Sequence, residues 1–251
     1  MKPPLLEMEN VELKLSGKVI LSSVNLRVEE GERLVVLGPS GSGKSTILRV
    51  ILGMLPITAG SVRFRGREIN KLRRWKLNLV RQRIGMVYQY SALISSLSVR
   101  DNLALPLLEL TRKKRDEIEE AVKAKLEIVG MGDAADKLPG QLSGGMRKRV
   151  SLARALMLDP ELILYDEPSA GLDPIISAVI DELMVSTTDR TGAASVIVTH
   201  ELGSAFKIAT RMAMLSDGEI IADGAPETFR EHPDDRVRKF IAAEPDLAAT
   251  S

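Results

Sequence analysis

Nine residues, Gly38 to Thr46, read GPSGSGKST and fit the pattern G-x-x-x-x-G-K-[ST] between an apolar run and a helical pattern. Glycines let successive backbone N–H groups turn toward a phosphate, and a helix that begins near Gly43 adds its N-terminal dipole. The pattern therefore predicts a nucleoside triphosphate site. Its residues are Gly38, Pro39, Ser40, Gly41, Ser42, Gly43, Lys44, Ser45 and Thr46.

Three polar side chains in this loop have distinct expected partners. Lys44 can bridge the terminal phosphates, and Thr46 can reach the α-phosphate. The Ser45 hydroxyl is placed to ligate Mg²⁺, which keeps most of its coordination as water and phosphate oxygen. The loop indicates nucleotide binding but does not say which reaction follows.

A pair of acids ends the apolar run LILYDE, after which Pro168 stops the strand. A strand that delivers carboxylates at its C-terminal edge points them toward the ligand crevice of a parallel sheet. Asp166 is expected to hold Mg²⁺ through water. Glu167 is expected to act as the general base that polarises an attacking water.

Two further polar residues end apolar runs. His200 closes SVIVTH and is one of only two histidines. We expect a neutral His200 imidazole to donate to the γ-phosphate. Gln89 closes MVYQ, where it can contact Mg²⁺ or the attacking water. Taken by itself, Gln89 is more typical of an exposed polar residue at a strand end.

Short apolar runs rich in Val and Ile alternate with helical patterns and predict an α/β fold with a parallel sheet. The predicted strands are Arg33–Gly38, Ile84–Gln89, Glu161–Glu167, Ala194–His200 and Arg211–Ile221. Gly60–Ile69, GSVRFRGREI, alternates in polarity and predicts an antiparallel ribbon. Ser91–Gly140 contains no convincing strand pattern. There Ile118, Val122, Leu126 and Val129 recur at helical spacing.

These patterns divide the chain into four parts. Residues 1–90 form the first part of a catalytic core with an antiparallel β subdomain. Residues 91–140 form an inserted α-helical subdomain, residues 141–231 complete the core, and residues 232–251 form a C-terminal tail that frays at its end.

Composition excludes several classes of protein. The net charge is +1 and aromatic residues make up 3%, so neither a basic field nor stacking rings indicate a nucleic-acid partner. The chain has no cysteine, which excludes disulfides and thiolate metal sites. No apolar run reaches the roughly 18 residues that a membrane span needs, and the N-terminus does not read as a signal peptide. We expect a soluble, cytoplasmic protein whose membrane role comes through a partner.

Four elements stand in order along nearly the whole chain: the phosphate loop, Gln89, LSGGM (142–146) before LILYDE, and SAGLD (169–173) followed by His200. This combination resembles the ATP-binding-cassette (ABC) ATPases. The chain lacks the N-K-x-D motif of G proteins, and a small-substrate kinase would need neither LSGGM nor SAGLD.

The resemblance implies a P-loop NTPase core of RecA-like type, with the antiparallel β subdomain and the helical insertion. It implies ATP hydrolysis with ATP and Mg²⁺ as ligands. Two chains would pack head to tail, so that Ser143, Gly144 and Gly145 of one chain close over the nucleotide of the other. Asp173 would bridge the two subunits.

Local chemistry at LSGGM agrees with an external ligand. Ser143 is the expected N-cap of a helix whose inner face is Met146, Val150, Ala153 and Met157. No Glu or Gln follows Ser143 at the third position, so no capping box forms and the hydroxyl is expected to be free. The basic residues 147–149 can face solvent, the partner cassette or a permease.

The sequence departs from the family pattern at two places. Met146 stands where the family usually has Gln, and activity is expected to survive. Leu15 and Ser16 occupy a region where family members often place an aromatic ring for the adenine. We therefore expect weak recognition of the base and poor selectivity for ATP over GTP.

Two stretches, Tyr88–Leu107 and His232–Ile241, are similar to the MlaF-type ATPases of MCE lipid-transport systems. This resemblance implies a homodimer beneath an MlaE-like permease at the cytoplasmic face of the bacterial inner membrane. An MlaD-like MCE protein would complete the complex, in some systems with an MlaB-like STAS protein. The first stretch would line the groove for the permease. The second would touch the neighbouring ATPase, or it is an ordinary solvated amphipathic end.

Other ABC systems remain alternatives. Amino-acid importer ATPases often carry a C-terminal regulatory domain, which is not evident here. Lipoprotein-release and cell-division ATPases tend to be shorter. A non-transport ABC protein of chromosomes would need long coiled coils or two cassettes in one chain.

Overall fold

The computed structural model describes residues 3–242. The strands are β1 (Leu6–Leu15), β2 (Lys18–Val28), β3 (Arg33–Leu37), β4 (Ala59–Phe64), β5 (Arg67–Glu68), β6 (Ile84–Val87), β7 (Leu162–Asp166), β8 (Ala194–Val198), β9 (Arg211–Ser216) and β10 (Glu219–Gly224). The helices are α1 (Lys44–Ile51), α2 (Arg74–Arg81), α3 (Val99–Leu110), α4 (Arg115–Ile128), α5 (Gly144–Ala155), α6 (Pro174–Thr191), α7 (Leu202–Ile208), α8 (Pro226–Arg230) and α9 (Asp235–Ala242).

The central sheet has the order β10-β9-β3-β8-β7-β6, in which β9, β3, β8, β7 and β6 are parallel neighbours. Its middle strands are buried along their length, which is why the sequence shows continuous Val and Ile runs instead of alternation. Because the strands are parallel, the ends of β3, β6, β7 and β8 all reach the same edge of the sheet.

The second sheet has the order β2-β1-β4-β5 and is antiparallel. Buried and exposed residues alternate along β1, which places one face on the core. The ribbon predicted from Gly60 to Ile69 is present as β4 and β5. They are joined through Arg65 and Gly66, which both have positive φ.

Residues 91–140 contain α3, α4 and two short 3₁₀ turns, and no strand is described among them. The four apolar residues predicted to share a helix face, Ile118, Val122, Leu126 and Val129, are all buried in the main core. Ser98 caps α3 by accepting from the Asp101 N–H at 3.1 Å. The helical periodicity was therefore a reliable guide in this region.

The strand predicted for Arg211–Ile221 is wrong in one respect, because this stretch forms an antiparallel hairpin of β9 and β10. Asp217 and Gly218 make the turn with φ of 50° and 82°, and Asp-Gly is a preferred pair for such tight hairpins. The other predicted strands end one or two residues early. Gly38, Gln89, Glu167 and His200 consequently lie in the loops that follow β3, β6, β7 and β8.

The C-terminal helix α9 packs on the same chain. Val237 is fully buried, and Phe240 and Ile241 lie against the main core. Its apolar face is thus covered in part by the same chain. The end of the tail predicted to fray lies outside the described residues. Among residues 3–242, no helix combines the length and apolarity that crossing a bilayer requires.

Candidate active site

The loop between β3 and α1 is shaped by glycines. Gly38, Gly41 and Gly43 have φ of 151°, 81° and 108°, which L residues with a Cβ rarely adopt. A Cβ on Gly38 would lie 2.1 Å from the Leu215 carbonyl oxygen, so the close approach to β9 admits only glycine. The loop conformation is therefore encoded directly by residue type.

The loop fits an anionic phosphate group on two observations. The side chain of Ser42 is buried, and its hydroxyl has no hydrogen-bond partner among the described residues. The first turn of α1 has no side-chain cap, which leaves its leading N–H groups without a side-chain acceptor. Buried donors without acceptors at a helix N-terminus are the chemistry that binds phosphate oxygens.

Lys44 lies between the loop and the acid pair. Its Nζ donates to the carbonyl oxygens of Gly38 at 2.7 Å and Pro39 at 3.1 Å, and it is 3.8 Å from Glu167 Oε1. Burial lowers the pKa of the Lys44 ammonium, while the nearby Glu167 and Asp166 carboxylates oppose that shift. The ammonium thus already borders the place where phosphate oxygens would meet the loop.

Ser45 and Asp166 come together although 121 positions separate them in the chain, because β7 ends beside the start of α1. The Ser45 hydroxyl donates to Asp166 Oδ1 at 2.7 Å. Within residues 3–242, no group of three or more His, Asp or Glu side chains could hold a metal alone. A hydroxyl beside one carboxylate suits Mg²⁺, which takes its other ligands from phosphate and water.

Glu167 and His200 are in contact across the ends of β7 and β8. Glu167 Oε2 is 3.0 Å from His200 Nδ1. Since a carboxylate only accepts, Nδ1 carries the proton, and a neutral ring then presents Nε2 as an acceptor. The donation predicted from His200 to a γ-phosphate therefore requires a doubly protonated ring or release from Glu167.

An open cleft of about 410 Å³ collects most of the predicted residues of the first site. Its lining consists of Ile20, Ser40, Gly41, Gly43, Lys44, Ser45, Thr46, Gln89, Glu167 and His200. The lining includes no aromatic side chain, in keeping with the missing ring near Leu15. Leu15 itself is partly exposed at the end of β1, next to the turn that leads to Ile20 on β2.

Lys148 is a site residue that the sequence analysis missed. Its side chain is buried, and its Nζ donates to the carbonyl oxygens of Gln89 at 2.5 Å and Glu167 at 3.1 Å. Burial lowers the pKa of Lys148 to about 8, opposed by Asp166, Glu167 and Glu201. The expectation that residues 147–149 face solvent or partners is thus wrong for Lys148. No local sequence pattern marked Lys148, because its burial depends on how α5 packs against the ends of β6 and β7.

The Ser143 motif lies outside this cleft, at the start of α5. Ser143 is the N-cap and accepts from the Met146 N–H at 3.3 Å, so the expectation of a wholly free hydroxyl is wrong. The hydroxyl proton remains available to an acceptor. Of the predicted inner face of α5, Val150, Ala153 and Met157 are buried and Met146 is partly buried against the same core.

The two glycines after Ser143 pack against the start of α6. A Cβ on Gly145 would lie 2.4 Å from Ile176 Cγ2, and one on Gly144 would lie 3.2 Å from Leu172 Cδ2. Asp173 caps α6 by accepting from the N–H groups of Ile175 and Ile176, both at 3.1 Å. Within one chain, these residues therefore have structural roles that the sequence analysis did not assign.

The chain is similar in sequence to the members of one protein family. A model described as "ABC transporter" matches residues 21–170. The intermembrane phospholipid transport system ATP-binding protein MlaF of Haemophilus influenzae is 38% identical over 246 residues, covering 98% of this chain and 93% of the relative. The glutamine transport ATP-binding protein GlnQ of Bacillus subtilis is 38% identical over 240 residues, covering 95% and 98%.

A solved structure of an ATP-binding cassette is similar to this chain in fold. It is a dimeric ATP-binding cassette in a post-hydrolysis state with ADP and Pi, and it superimposes with a TM-score of 0.80 at 33% identity. The alignment covers 88% of this chain and 98% of that one. The central sheet with its antiparallel and helical additions is thus the fold of that cassette.

Proposed function

Because this chain belongs to the ABC transporter family and is an ATPase of that family, we propose that it powers a phospholipid transporter. In this proposal it works as a homodimer beneath an MlaE-like permease, on the cytoplasmic face of the bacterial inner membrane. An MlaD-like MCE protein belongs to the same complex, which in some systems includes an MlaB-like STAS protein.

The phosphate loop and Lys44 bind the terminal phosphates of ATP, and Thr46 reaches the α-phosphate. Ser45 and Asp166, joined at 2.7 Å, would hold Mg²⁺ together with Gln89. Mg²⁺, when bound, neutralises charge on the β- and γ-phosphates. These assignments rest on the geometry of the cleft, where the loop, Gln89 and Glu167 share one lining.

Glu167 accepts the proton of the water that attacks the γ-phosphorus, while the bond from that phosphorus to the bridging oxygen breaks and ADP leaves. The Glu167 carboxylate is held between Lys44 and His200, at 3.8 Å and 3.0 Å. His200 stabilises the γ-phosphate when its ring carries a proton on Nε2. The contact with Glu167 supports a shared role for the two residues.

A second chain completes the site. Ser143, Gly144 and Gly145 do not line this chain's own cleft, and Ser143 is exposed at a helix start with its hydroxyl proton available. These residues therefore suit the phosphates of another copy. Asp173 caps the helix start against which Gly145 packs, where it would bridge the pair. A relative of the same fold is a dimer with ADP and Pi, which supports this arrangement.

One observation supports phospholipid as the transported substrate: the match to MlaF covers 98% of this chain. Amino-acid import is the second candidate, because GlnQ matches at the same identity and its whole length is nearly covered. The ATPase chemistry is common to both, so only the partners distinguish them.

The test is to purify the complex from membranes through a tag on this chain and to analyse it by native mass spectrometry. A permease with an MCE protein and retained phospholipid supports the proposal. An amino-acid permease in its place overturns the lipid assignment and leaves the ATPase assignment intact. Membranes from cells with the untagged chain serve as the control.

A further inference from the structure

One stripe of α5 holds the segment that follows β6. Lys148, Ser151 and Arg154 are spaced three residues apart, and each donates to a backbone carbonyl of residues 89–92. The distances are 2.5 Å from Lys148 Nζ to Gln89 O, 3.0 Å from Ser151 Oγ to Ser91 O, and 2.7 Å from Arg154 Nη1 to Ala92 O. Arg154 Nη2 also donates to Ser91 O at 3.0 Å. The segment is thus attached to α5 by side chains.

The backbone held by this stripe is in an unfavourable conformation. Ser91, Ala92 and Glu167 have φ of 61°, 48° and 46°. Residues with a Cβ keep such angles only where the surrounding structure enforces them. The carbonyl oxygens of all three accept hydrogen bonds from side chains of α5, so α5 helps to hold these angles alongside local backbone hydrogen bonds.

Lys148 differs from its two neighbours because it bonds two strand ends at once. Its Nζ joins the carbonyl of Gln89 after β6 to the carbonyl of Glu167 after β7. It also stands five positions after Ser143 on the same helix, roughly 7.5 Å along the axis at 1.5 Å per residue. A shift of the helix start therefore reaches both carbonyls through one side chain.

We propose that Lys148 is a positioning residue for hydrolysis, which fixes the backbone of Glu167 and Gln89 relative to α5. When Ser143 engages the nucleotide of the second chain, Lys148 sets the Glu167 carboxylate against the attacking water. This inference rests on the proposed function, since it requires that α5 be engaged by a second chain. The side chain of Lys148 is not among the residues that line the cleft.

The test uses Lys148→Met, which keeps the length of the side chain and removes its charge and donors. In the full transporter, we expect kcat for ATP to fall at least tenfold while KM stays within twofold. The phosphate loop does not contact Lys148, so binding should persist. A residue that merely supported the fold would change KM and the melting temperature together with kcat.

Lys125→Met is the matched control. Lys125 is also largely buried, at 16% exposure, but it pairs with the exposed Asp159 in the loop between α5 and β7. We expect its kcat to remain within twofold of the wild type. Lys148→Arg keeps a cation with donors, and its kcat should exceed that of Lys148→Met at least threefold. Equal rates for the two Lys148 variants would overturn the proposal, as would a Lys148→Met kcat within threefold of wild type.

A trapping experiment separates positioning from closure. Glu167→Gln alone should retain ATP in a closed complex, and the double variant with Lys148→Met should retain it equally. Loss of retention only in the double variant would mean that Lys148 serves closure, and the positioning role would be wrong. No retention in Glu167→Gln itself would contradict the two-chain site of the proposed function instead.

Discussion

At the scale of single residues, the acid pair lies near two buried lysines that come from different elements. Lys44 comes from the phosphate loop, and Lys148 comes from α5 behind the sheet edge. Both are buried, and both have their pKa lowered by that burial. The carboxylates of Asp166 and Glu167 oppose that lowering of the pKa at both lysines.

A residue-scale prediction concerns base recognition. Leu15→Tyr should lower KM for ATP several-fold with kcat unchanged, because an aromatic ring near the cleft entrance can stack on adenine. Stacking is worth about 0.5–1.5 kcal/mol, which corresponds to about two- to twelve-fold. The measurement is steady-state hydrolysis by the complex at varied ATP.

Wild-type GTP hydrolysis provides the companion measurement. With Ile20 as the apolar side chain of the cleft and no ring in its lining, we expect GTP to be hydrolysed at a rate comparable to ATP. A GTPase rate below about one hundredth of the ATPase rate at matched concentration would contradict weak base recognition. Val19→Tyr on the neighbouring exposed position is a control for the added ring alone.

A second residue-scale prediction concerns pH. Asp181 on α6 is buried and accepts from the Ser204 hydroxyl at 2.5 Å. Burial raises the pKa of its carboxyl, with Ser204 and Lys207 opposing that shift. A raised pKa in the folded state means that folding is favoured by the protonated form. The stabilisation of the folded state by protonated Asp181 is therefore fully present below the unfolded pKa of about 3.9. It is lost as the pH rises through the higher pKa of Asp181 in the folded state.

Asp181→Asn removes that charge and keeps an acceptor for Ser204. We expect the variant to unfold at higher denaturant than wild type at pH 7, with the difference closing as pH falls toward about 4. Asp136→Asn is the control, because Asp136 is 86% exposed in an ion pair with Arg100. Its effect at pH 7 should stay within about 0.5 kcal/mol. A constant difference between Asp181→Asn and wild type across pH would contradict the argument.

At the scale of elements, different residues of α5 have three different roles. Its start presents Ser143, its second residue packs against α6, and its buried stripe holds the segment after β6. The helix has a weakly amphipathic sequence because Lys148 and Ser151 occupy buried positions. Polar residues at buried helix positions are tolerated here since each has backbone acceptors.

The packing of α5 gives an element-scale prediction on a matched pair of glycines. Gly145 and Gly203 are each the second residue of a helix. A Cβ on Gly145 would meet Ile176 at 2.4 Å, whereas a Cβ on Gly203 meets nothing within 4 Å. Gly145→Ala should therefore lower the free energy of unfolding by about 1–3 kcal/mol. Gly203→Ala should raise it by about 0.5 kcal/mol.

Chemical denaturation of the two variants beside wild type checks this prediction. The sign should differ between the two glycines although the substitution and helix position are the same. If both variants are stabilised, Ile176 has moved without cost and the contact does not constrain Gly145.

At the scale of the whole molecule, the proposed division of one nucleotide site between two copies of this chain predicts that the copies come into contact when ATP is held. Glu167→Gln should lower hydrolysis by about a hundredfold or more, because the proposed general base is lost while the shape of the side chain is kept. In the full complex, the variant should hold ATP with two copies of this chain in contact, and wild type should release it after hydrolysis. Cross-linking between cysteines placed at Ser143 and Ser40 measures the contact.

Glu182→Gln is the control for this experiment, because Glu182 is an exposed acid on α6 with only a 3.9 Å approach to Lys207. It should hydrolyse ATP and cross-link as wild type does. A Glu167→Gln complex that neither retains ATP nor cross-links would contradict the two-chain site.

The sequence by itself determined those features of this protein that depend only on residues close together along the chain. The phosphate loop, the acid pair and the strand runs are short patterns, and each predicts a local structure through backbone geometry or burial. The helical face of α4 followed from periodicity in the same way. The family followed from the order of such motifs, which a linear sequence displays completely.

Only the tertiary structure decided which side chains meet. The hydroxyl of Ser45 reaches Asp166, and the ammonium of Lys148 reaches Gln89, across many positions of sequence. These contacts depend on the strand order in the central sheet and on how α5 packs behind it, and no local pattern encodes either. The same cause explains why the burial of Lys148 was not predicted. A lysine in a run of basic residues looks solvent-exposed in the sequence, and only the packing of α5 buries it.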